Sequence, residues 1–265
     1  YNEIIVVNKT EIKPNQVNVG FIGAGSFAQS FLLPNVAKLA NMIAVATNTG
    51  VKSKHTATKY NFGISTTNGN EVIKNKDINT VFIATRHNSH ADYVLDAIRN
   101  DKNIFVEKPL CLKEEELEQI RREYEKKNIR LMVGFNRRFS PQVKHIINTL
   151  GTGSVKTINY RVNLGPLAAD HWTQDKEIGG GRIIGEVCHF IDLAMYIANS
   201  NPSSISASSI DDPLALNNTL SMIIKFKNGS VASINYYANG NSDLNKEYLE
   251  VHANGVSAVL DDFHK

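Results

Sequence analysis

Short apolar runs alternate with amphipathic segments along the first half of the chain. The apolar runs predict strands at 17–22, 43–46, 80–84, 103–106 and 130–133. The segments between them predict helices at 26–39, 51–60, 90–100 and 113–127. Strands that are apolar at nearly every position are typical of a parallel sheet with helices on both faces. We therefore expect a doubly wound α/β domain over residues 17–134, after a lead-in segment, residues 1–16, with a strand-like run from Glu3 to Val7.

The spacing of the apolar positions changes after residue 141. Helices are predicted at 142–150 and 182–198, and strands at 154–162, 204–209, 219–226, 230–237 and 247–253. Asn228-Gly229 lies between two of these strands and is typical of a hairpin turn. Strands joined by short turns favour an antiparallel sheet, so residues 135–265 are expected to form an α+β domain with a mostly antiparallel sheet.

Composition and charge limit the classes of protein to consider. The 265 residues are 42% hydrophobic and 21% charged, which is typical of a globular protein. A net charge of +3 is too small for a nucleic-acid binder that relies on neutralising phosphates. No apolar run reaches the roughly 18–20 residues that span a membrane, and the N-terminus lacks a signal-peptide profile. We expect a cytoplasmic protein whose partner is a small molecule.

The cysteines and the chain ends add two expectations. Cys111 and Cys188 are too few for a disulfide framework and belong to no zinc-binding pattern, so we expect a reducing compartment and no bound metal. The chain starts at Tyr1 and stops soon after the apolar run 256–260. These ends predict a segment of a longer polypeptide, truncated within its second domain; a processed, complete protein is the alternative.

A glycine-rich loop follows the first strand of the predicted α/β domain. It reads Gly23-x-Gly25-x-x-Ala28 and leads directly into a helix, the context in which this pattern binds a dinucleotide. Gly23 permits a tight turn, Gly25 lets a pyrophosphate approach the backbone, and Ala28 lets the helix pack on the strand. The first helical residues, Ser26 and Phe27, offer amides to the phosphates. The motif predicts a Rossmann-type NAD(P) site; the alternative is a glycine-rich turn without a ligand.

The end of the second strand of that domain bears on the choice between NAD and NADP. The acidic residue that usually binds the ribose hydroxyls, about 20 positions beyond the glycines, is missing. The segment carries Thr47, Asn48 and Lys52 instead. Without a carboxylate the site does not repel a 2′-phosphate, and Lys52 attracts one. These residues favour NADP slightly over NAD and leave both open.

Two more segments follow predicted strands at the sheet edge where ligands bind. Thr85, Arg86, His87 and His90 follow one strand, and Glu107-Lys108-Pro109 follows the next. A lysine in that position can donate a hydrogen bond to a hydroxyl or carbonyl oxygen of a substrate. Taken alone, Glu107 and Lys108 would be a surface ion pair, but together with the glycine loop they favour an active site.

Four motifs occur in a fixed order along the chain. They are Gly23-x-Gly25-x-x-Ala28, Glu107-Lys108-Pro109, Gly134-Phe135-Asn136-Arg137-Arg138-Phe139, and Gly179-Gly180-Gly181 followed by His189-Phe190-Ile191-Asp192. Together they resemble the Gfo/Idh/MocA family, which includes glucose–fructose oxidoreductase and inositol dehydrogenase. The resemblance covers nearly the whole chain from Val17. More narrowly, the stretches 84–87, 165–172 and 181–186 are similar to a bidomain subgroup in which a zinc-alcohol-dehydrogenase-like module precedes this one.

The resemblance implies NAD(P)-dependent oxidation or reduction of a sugar-like alcohol. Lys108 would hold the reacting oxygen and His189 would exchange its proton. Many relatives carry Asp one turn before this histidine; here Gly185 takes that place, and Glu186 would orient the imidazole instead. His90 matches a histidine common in the family, with a capping contact at the helix N-terminus as the alternative. Contacts with the cofactor are expected from Thr85, Arg86, His87, His90 and Glu107.

Substrate contacts are expected mainly on a loop of the second domain. The candidates are Asn163, Asp170, His171, Trp172, Arg137 and Glu186. Trp172 is the single tryptophan, and its ring suits the face of a sugar, with plain packing as the alternative. Arg137 either lines the site or pairs with a surface carboxylate.

The expected function is hydride transfer between nicotinamide and a secondary alcohol or ketone of a sugar, cyclitol or nucleotide-sugar. Two alternatives stay open: an NAD-dependent glycosidase of the same family, and a non-catalytic dinucleotide-binding module of a larger protein. The broad face of the second sheet is the usual pairing surface in relatives, so a homo-oligomer is expected by analogy.

Overall fold

The chain forms two compact units, residues 1–134 and residues 135–265, each with its own sheet. The computed structural model describes residues 4–8, 10, 12, 15–211 and 217–264. Glu3, where the first strand-like run was predicted to begin, lies outside the described residues.

The first unit is built on a seven-stranded sheet. Its strands are β1 (Ile4–Val6), β2 (Asn18–Ile22), β3 (Asn41–Ala46), β4 (Ile64–Thr66), β5 (Thr80–Ile83), β6 (Asn103–Val106) and β7 (Leu131–Val133). Its helices are α1 (Leu33–Leu39), α2 (Gly50–Lys59), α3 (Gly69–Lys74), α4 (His90–Arg99) and α5 (Glu114–Tyr124). Buried apolar side chains such as Val81, Val94 and Ile98 fill the space between the sheet and its helices because each presents an apolar face to the other.

The side on which successive strands are added changes at the centre of this sheet. The order is β1-β4-β3-β2-β5-β6-β7, so the chain builds outward from β2 on one side and then returns to add β5 on the other. All neighbouring strands run parallel except β1, which pairs antiparallel with β4. The predicted doubly wound sheet is confirmed. Ligands of such sheets bind outside the carboxyl ends of the strands where the side changes, here the ends of β2 and β5.

Two details of the first unit differ from the sequence prediction. β4 and α3 were not predicted, because both are short and β4 ends in the polar pair Ser65-Thr66. The helix predicted over 26–39 contains a π-helical stretch, Ala28–Leu32, before α1 begins. Pro34 lies just after this stretch and has no N–H to bond to the preceding turn, so a wider turn ahead of it removes the conflict.

The second unit packs two helices on one face of a six-stranded sheet. Its strands are β8 (Thr157–Asn163), β9 (Pro202–Ser209), β10 (Leu220–Phe226), β11 (Val231–Tyr237), β12 (Glu247–Ala253) and β13 (Val256–Asp261). Its helices are α6 (Pro141–Leu150) and α7 (Cys188–Ala198), the latter continuing a π-helical stretch, Ile183–Val187. In the order β13-β12-β8-β11-β10-β9, β8 and β11 run parallel and the other described neighbours are antiparallel. The predicted α+β organisation is confirmed.

One face of this second sheet lies away from α6 and α7. Along β10 buried and exposed residues alternate strictly, as expected when a sheet packs on a core with one face only. The outward positions mix Ser, Thr and Asn with tyrosines and charged residues, and Ile223 and Val259 are half exposed among them. Within the described residues, no helix combines the length and apolar character that crossing a membrane requires.

Candidate active site

The glycine loop after β2 is held tightly against the end of β5. Gly23 has φ of +87° and its N–H donates to the carbonyl of Ala46 at 2.9 Å. A Cβ at this position would lie 2.3 Å from the carbonyl oxygen of Ala84, so only glycine fits. Gly25 is the opposite case, because a Cβ there would meet no atom within 4 Å. The loop is thus braced from behind at Gly23 and open at Gly25, which leaves room for a phosphate group to approach the backbone.

The following helix starts with exposed residues and then turns a small residue into the core, as the motif requires. Ser26 and Phe27 form its exposed first positions, whereas Ala28 is buried and contributes to the core behind the sheet. Because the first amides of a helix have no partner within it, they are available to an anion at this end. The structure therefore brings Gly23, Gly25, Ser26, Phe27 and Ala28 into one loop–helix junction.

The end of β3 carries no acidic side chain toward the next helix. Thr47 is buried and its hydroxyl donates to the carbonyl of Thr49 at 3.0 Å, while Asn48 and Lys52 are exposed. Thr49 caps α2 by accepting from the backbone N–H of Lys52, and the first turn of α2 contains no acid. The positive end of this helix and the Lys52 amine therefore favour an anionic group.

The segment after β5 folds into a tight 3-10 turn, His87–Ser89. The hydroxyls of Thr85 and Ser89 share a hydrogen bond of 2.6 Å, and Ser89 also donates to the carbonyl of Arg86 at 2.9 Å. His87 is buried, with its ring 5.8 Å from that of His90, whereas Arg86 is exposed. These bonds make the Thr85–His90 segment one connected piece at the edge of the sheet.

His90 is fully buried at the first position of α4. Its Nδ1 lies 2.7 Å from the carbonyl oxygen of Pro109 and its Nε2 lies 3.2 Å from that of Thr85. A capping side chain accepts from helix N–H groups, so these contacts to carbonyl oxygens are of a different kind from the capping contact considered above. Burial lowers the pKa of His90, the two carbonyls raise it, and the nearby Lys108 charge lowers it further; the net direction is downward.

Glu107 and Lys108 follow β6 at the same edge of the sheet. The N–H of Glu107 donates to the carbonyl of Ile83 at 2.8 Å, which extends the ladder between β5 and β6 by one bond. Burial raises the pKa of the Glu107 carboxyl to about 7, opposed by the Lys108 charge and by a hydrogen bond from the Lys108 backbone. A Cβ on Gly134 would lie 2.8 Å from Glu107 Oε1. Glu107 is therefore a half-buried carboxyl close to the backbone at the end of β7.

In the second unit, His189 lies in the first turn of α7, just after the π-helical stretch. It is half buried, and its ring contacts that of Phe135 edge-on at 5.9 Å between centroids. The carboxylate of Glu186 accepts a short hydrogen bond from the Tyr236 hydroxyl and pairs with Arg182, whose Nε lies 3.5 Å away. The expectation that Glu186 orients the imidazole stays a prediction, and the contacts named here hold this carboxylate to Arg182 and Tyr236. A π-helical turn changes the angular spacing of side chains along the helix, and it presents Glu186 to β11.

Two arginines of the turn after Gly134 form bidentate pairs within the second unit. Arg137 donates to both carboxylate oxygens of Glu247, at 2.9 Å from Nε and 2.5 Å from Nη2, and its guanidinium lies over the Phe190 ring. Arg138 binds Asp192 in the same way. Arg137 therefore pairs with a carboxylate that is buried rather than on the surface, and it also lines a cavity together with Glu247 and Phe263. Its contact with a substrate stays a prediction.

The predicted substrate residues of the second unit fall into two groups. Asn163 is buried at the end of β8, where its amide donates to the carbonyls of Asn241 and Leu244 at 2.7 and 3.2 Å and so holds that loop in place. Asp170, His171 and Trp172 lie on a different loop, between β8 and the π-helical stretch Ile183–Val187, and are exposed or half buried. The His171 Nδ1 lies 2.7 Å from the Thr173 hydroxyl, and the His171 and Trp172 rings are 6.1 Å apart.

Comparison with known proteins decides the family. Residues 17–135 match the model described as "Oxidoreductase family, NAD-binding Rossmann fold", and residues 141–256 match the model of the GFO/IDH/MocA C-terminal domain. The chain belongs to the GFO/IDH/MocA oxidoreductase family. In this member of the family, the glycine loop and Lys108 lie in the first matched region and His189 lies in the second.

The GFO/IDH/MocA chain is similar to several proteins with known names. Trans-1,2-dihydrobenzene-1,2-diol dehydrogenase of Xenopus laevis is 27% identical over 190 residues, which cover 70% of this chain and 57% of that protein. The levoglucosan dehydrogenase of Pseudarthrobacter phenanthrenivorans is 25% identical over an alignment of 286 positions, which covers 92% of this chain and 73% of that protein. A solved structure of levoglucosan dehydrogenase in complex with NADH and levoglucosan aligns with a TM-score of 0.80 at 25% identity, over 92% of this chain and 73% of that one. The chain thus spans 57 to 64% of the length of the first relatives it matches, the two Xenopus enzymes.

Three features of the GFO/IDH/MocA site had no counterpart in the sequence prediction. They are the contact of Glu107 with Gly134, the two carbonyl contacts of His90, and the bonding of Glu186 to Tyr236. The spacing of Arg182 and Glu186, four residues apart, was the one available signal, since it predicts a helical ion pair.

Proposed function

We propose that the chain is an NAD(P)-dependent dehydrogenase that transfers hydride between nicotinamide and a secondary alcohol or ketone of a sugar or cyclitol. The observation that carries the proposal is the edge of the first sheet, where the loop at Gly23 and Gly25 and the Glu107-Lys108 segment follow β2 and β6. Similar proteins named for levoglucosan, myo-inositol and dihydrobenzenediol all act on CH–OH groups, which supports the reaction class.

The residues at the glycine loop fit a dinucleotide. The open space at Gly25 and the exposed helix start at Ser26 and Phe27 suit a pyrophosphate. Thr47, Asn48 and Lys52 would contact the adenosine ribose, and Thr85, Arg86, His87 and Glu107 would line the nicotinamide end. His90, which is fully enclosed, would serve the cofactor only through the segments that it bonds to. The bound cofactor would supply the acceptor or donor of hydride.

Lys108 and His189 are proposed as the catalytic residues. In the direction of oxidation, the Lys108 ammonium would donate a hydrogen bond to the alcohol oxygen and stabilise the negative charge that develops there. The His189 imidazole would accept the hydroxyl proton, the role that histidine most often has in general acid–base catalysis. In the direction of reduction, His189 would return the proton to the carbonyl oxygen.

The contacts of the remaining candidates suggest how they would serve the substrate. Asp170, His171 and Trp172, on the loop of the second unit, would touch the sugar. Asn163 and Glu186 are bound to other parts of the protein and would shape the site through the backbone and side chains that they hold.

The test is the formation of NAD(P)H at 340 nm with a panel of sugars and cyclitols that includes levoglucosan and myo-inositol. We expect a steady increase in absorbance with at least one member of the panel. Cofactor binding without turnover would favour the non-catalytic module, and release of an aglycone without net NADH would favour the glycosidase; either result would contradict the proposal.

We also propose that the protein accepts NADP as well as NAD. The absence of an acid at the end of β3 and the Lys52 amine support it. Michaelis constants measured for both cofactors test the point. A KM for NADP at or below that for NAD is expected, and a clear preference for NAD would reverse the assignment.

Assembly and chain context are further parts of the proposal. The outer face of the second sheet, with Ile223 and Val259, would pair with a second copy to form a homo-oligomer, and light scattering after size-exclusion chromatography tests this. Membership of the bidomain subgroup, and with it a longer polypeptide in the cell, stays a prediction that mass spectrometry of the native protein tests.

A further inference from the structure

Two loops at the edge of the first sheet are linked by one imidazole. The ladder between β5 and β6 reaches as far as the bond from the Glu107 N–H to the Ile83 carbonyl. Beyond it the chain leaves β5 through Thr85 and leaves β6 through Lys108 and Pro109. The ring of His90 lies between these segments and contacts a carbonyl of each.

The two contacts of the ring are not equivalent. A carbonyl oxygen only accepts, so each contact needs an N–H on the ring, and a neutral imidazole has one. The net lowering of the pKa of His90 favours the neutral ring. The proton then belongs on Nδ1, whose distance to the Pro109 carbonyl oxygen, 2.7 Å, is the shorter. The bond to Pro109 is therefore the stronger link.

The segment that carries His90 is itself well braced. The Thr85–Ser89 and Ser89–Arg86 bonds lock the turn, and α4 follows it directly with a buried face. The ring of His90 is completely enclosed, so water does not compete for its hydrogen bonds. The ring therefore connects this braced turn with the backbone carbonyl next to Lys108.

We propose that His90 is a positioning residue: through its hydrogen bond to the Pro109 carbonyl it fixes the backbone that carries Lys108 relative to the Thr85–His87 turn. The inference rests on the proposed function, in which Lys108 binds the reacting oxygen. A small displacement of a catalytic group costs far more in turnover than in binding of the cofactor, because the reacting atoms must be aligned.

Three variants separate the two contacts of the ring. The Asn side chain in His90→Asn places an amide N–H near the position of Nδ1, and the Gln side chain in His90→Gln places one near that of Nε2, whereas His90→Ala removes both. We expect kcat of His90→Ala and His90→Gln to fall about 10- to 100-fold. The KM for the cofactor should change less than about threefold, and His90→Asn should regain most of kcat. Equal rates for the Asn and Gln variants, or normal kcat for His90→Ala, would overturn the proposal.

A measurement that needs no activity keeps the inference separate from the proposed function. Amide hydrogen exchange of the peptide spanning residues 105–112 reports how firmly the Lys108 segment is held. Exchange should be faster in His90→Ala and His90→Gln than in the wild type and His90→Asn. If this pattern appears in a chain without dehydrogenase activity, the proposed function is wrong and the positioning role of His90 is supported. If the four proteins exchange alike, the positioning role itself is wrong.

Discussion

The Glu107 carboxyl lies against the backbone of Gly134, so closely that a Cβ on Gly134 would be 2.8 Å from Oε1. The two residues belong to different motifs, Glu107-Lys108-Pro109 and Gly134-Phe135-Asn136, which lie more than 20 residues apart in the chain. Because β6 and β7 are neighbours in the sheet, their ends bring these motifs together. A side chain at residue 134 would therefore have to displace the Glu107 carboxyl.

Gly134→Ala should disturb this contact. The added methyl group must displace the end of the Glu107 side chain, which is flexible, so we expect a loss of about 1 kcal/mol in the free energy of unfolding, the low end of the cost of overpacking. Urea denaturation measures the change. Gly153→Ala is the matched control, because a Cβ there meets no atom within 4 Å and the residue is exposed. Equal stability of the two variants would contradict the close contact.

The raised pKa of Glu107, about 7, predicts how stability depends on pH. The unfolded chain releases this proton near pH 4.5 and the folded chain holds it until about pH 7. Between these values the folded state binds more protons, so stability falls as pH rises. The loss amounts to at most about 3 kcal/mol.

Glu107→Gln removes this dependence, so the variant should gain stability relative to the wild type as pH rises from 5 to 8. Urea unfolding of both proteins at several pH values checks it. Parallel stability curves over that range would show that the carboxyl ionises at its ordinary pKa.

The two glycines of the loop should respond differently to the same substitution. Gly23→Ala combines a positive φ with a Cβ only 2.3 Å from the Ala84 carbonyl oxygen, and it should lower the melting temperature markedly. Gly25→Ala has room in the protein and should keep the melting temperature.

For Gly25→Ala we expect the affinity for NAD(H), measured by calorimetry, to fall about tenfold, which is about 1.4 kcal/mol. The methyl group would occupy the space that a pyrophosphate needs. Unchanged affinity in a folded Gly25→Ala protein would place the cofactor elsewhere.

Loss of one partner of the buried Arg137–Glu247 pair should be costly. Glu247 also accepts a hydrogen bond from Tyr160, so Glu247→Gln leaves a buried guanidinium without its counter-ion. Removing one partner of such a pair costs about 3–5 kcal/mol of the free energy of unfolding.

Glu118→Gln is the control for that change, since its pair with Arg121 is exposed and solvent screens such pairs strongly. Chemical denaturation compares the two variants. A small loss of stability in Glu247→Gln, similar to that of the control, would contradict the predicted contribution of the buried pair.

Some features of the fold and of the candidate site could be predicted from the sequence and others could not, for physical reasons. Gly23 and Lys108 could be placed because strand ends share one edge of a parallel sheet, whatever the detail of their loops. β4 was missed because three residues carry too short a pattern to distinguish from a loop. The partner of Glu186 could not be predicted, since a π-helical turn alters the helix spacing and Tyr236 comes from a strand 50 residues later.

The central claim is that Lys108 and His189 carry the reaction of an NAD(P)-dependent dehydrogenase. The most direct measurement is turnover of Lys108→Ala and His189→Ala, followed as NAD(P)H absorbance, with cofactor affinity measured by calorimetry on the same preparations. We expect kcat to fall about 100-fold or more in each variant, as for loss of a general acid–base or an oxyanion contact, while both still bind the cofactor. Normal turnover in either variant would contradict the account.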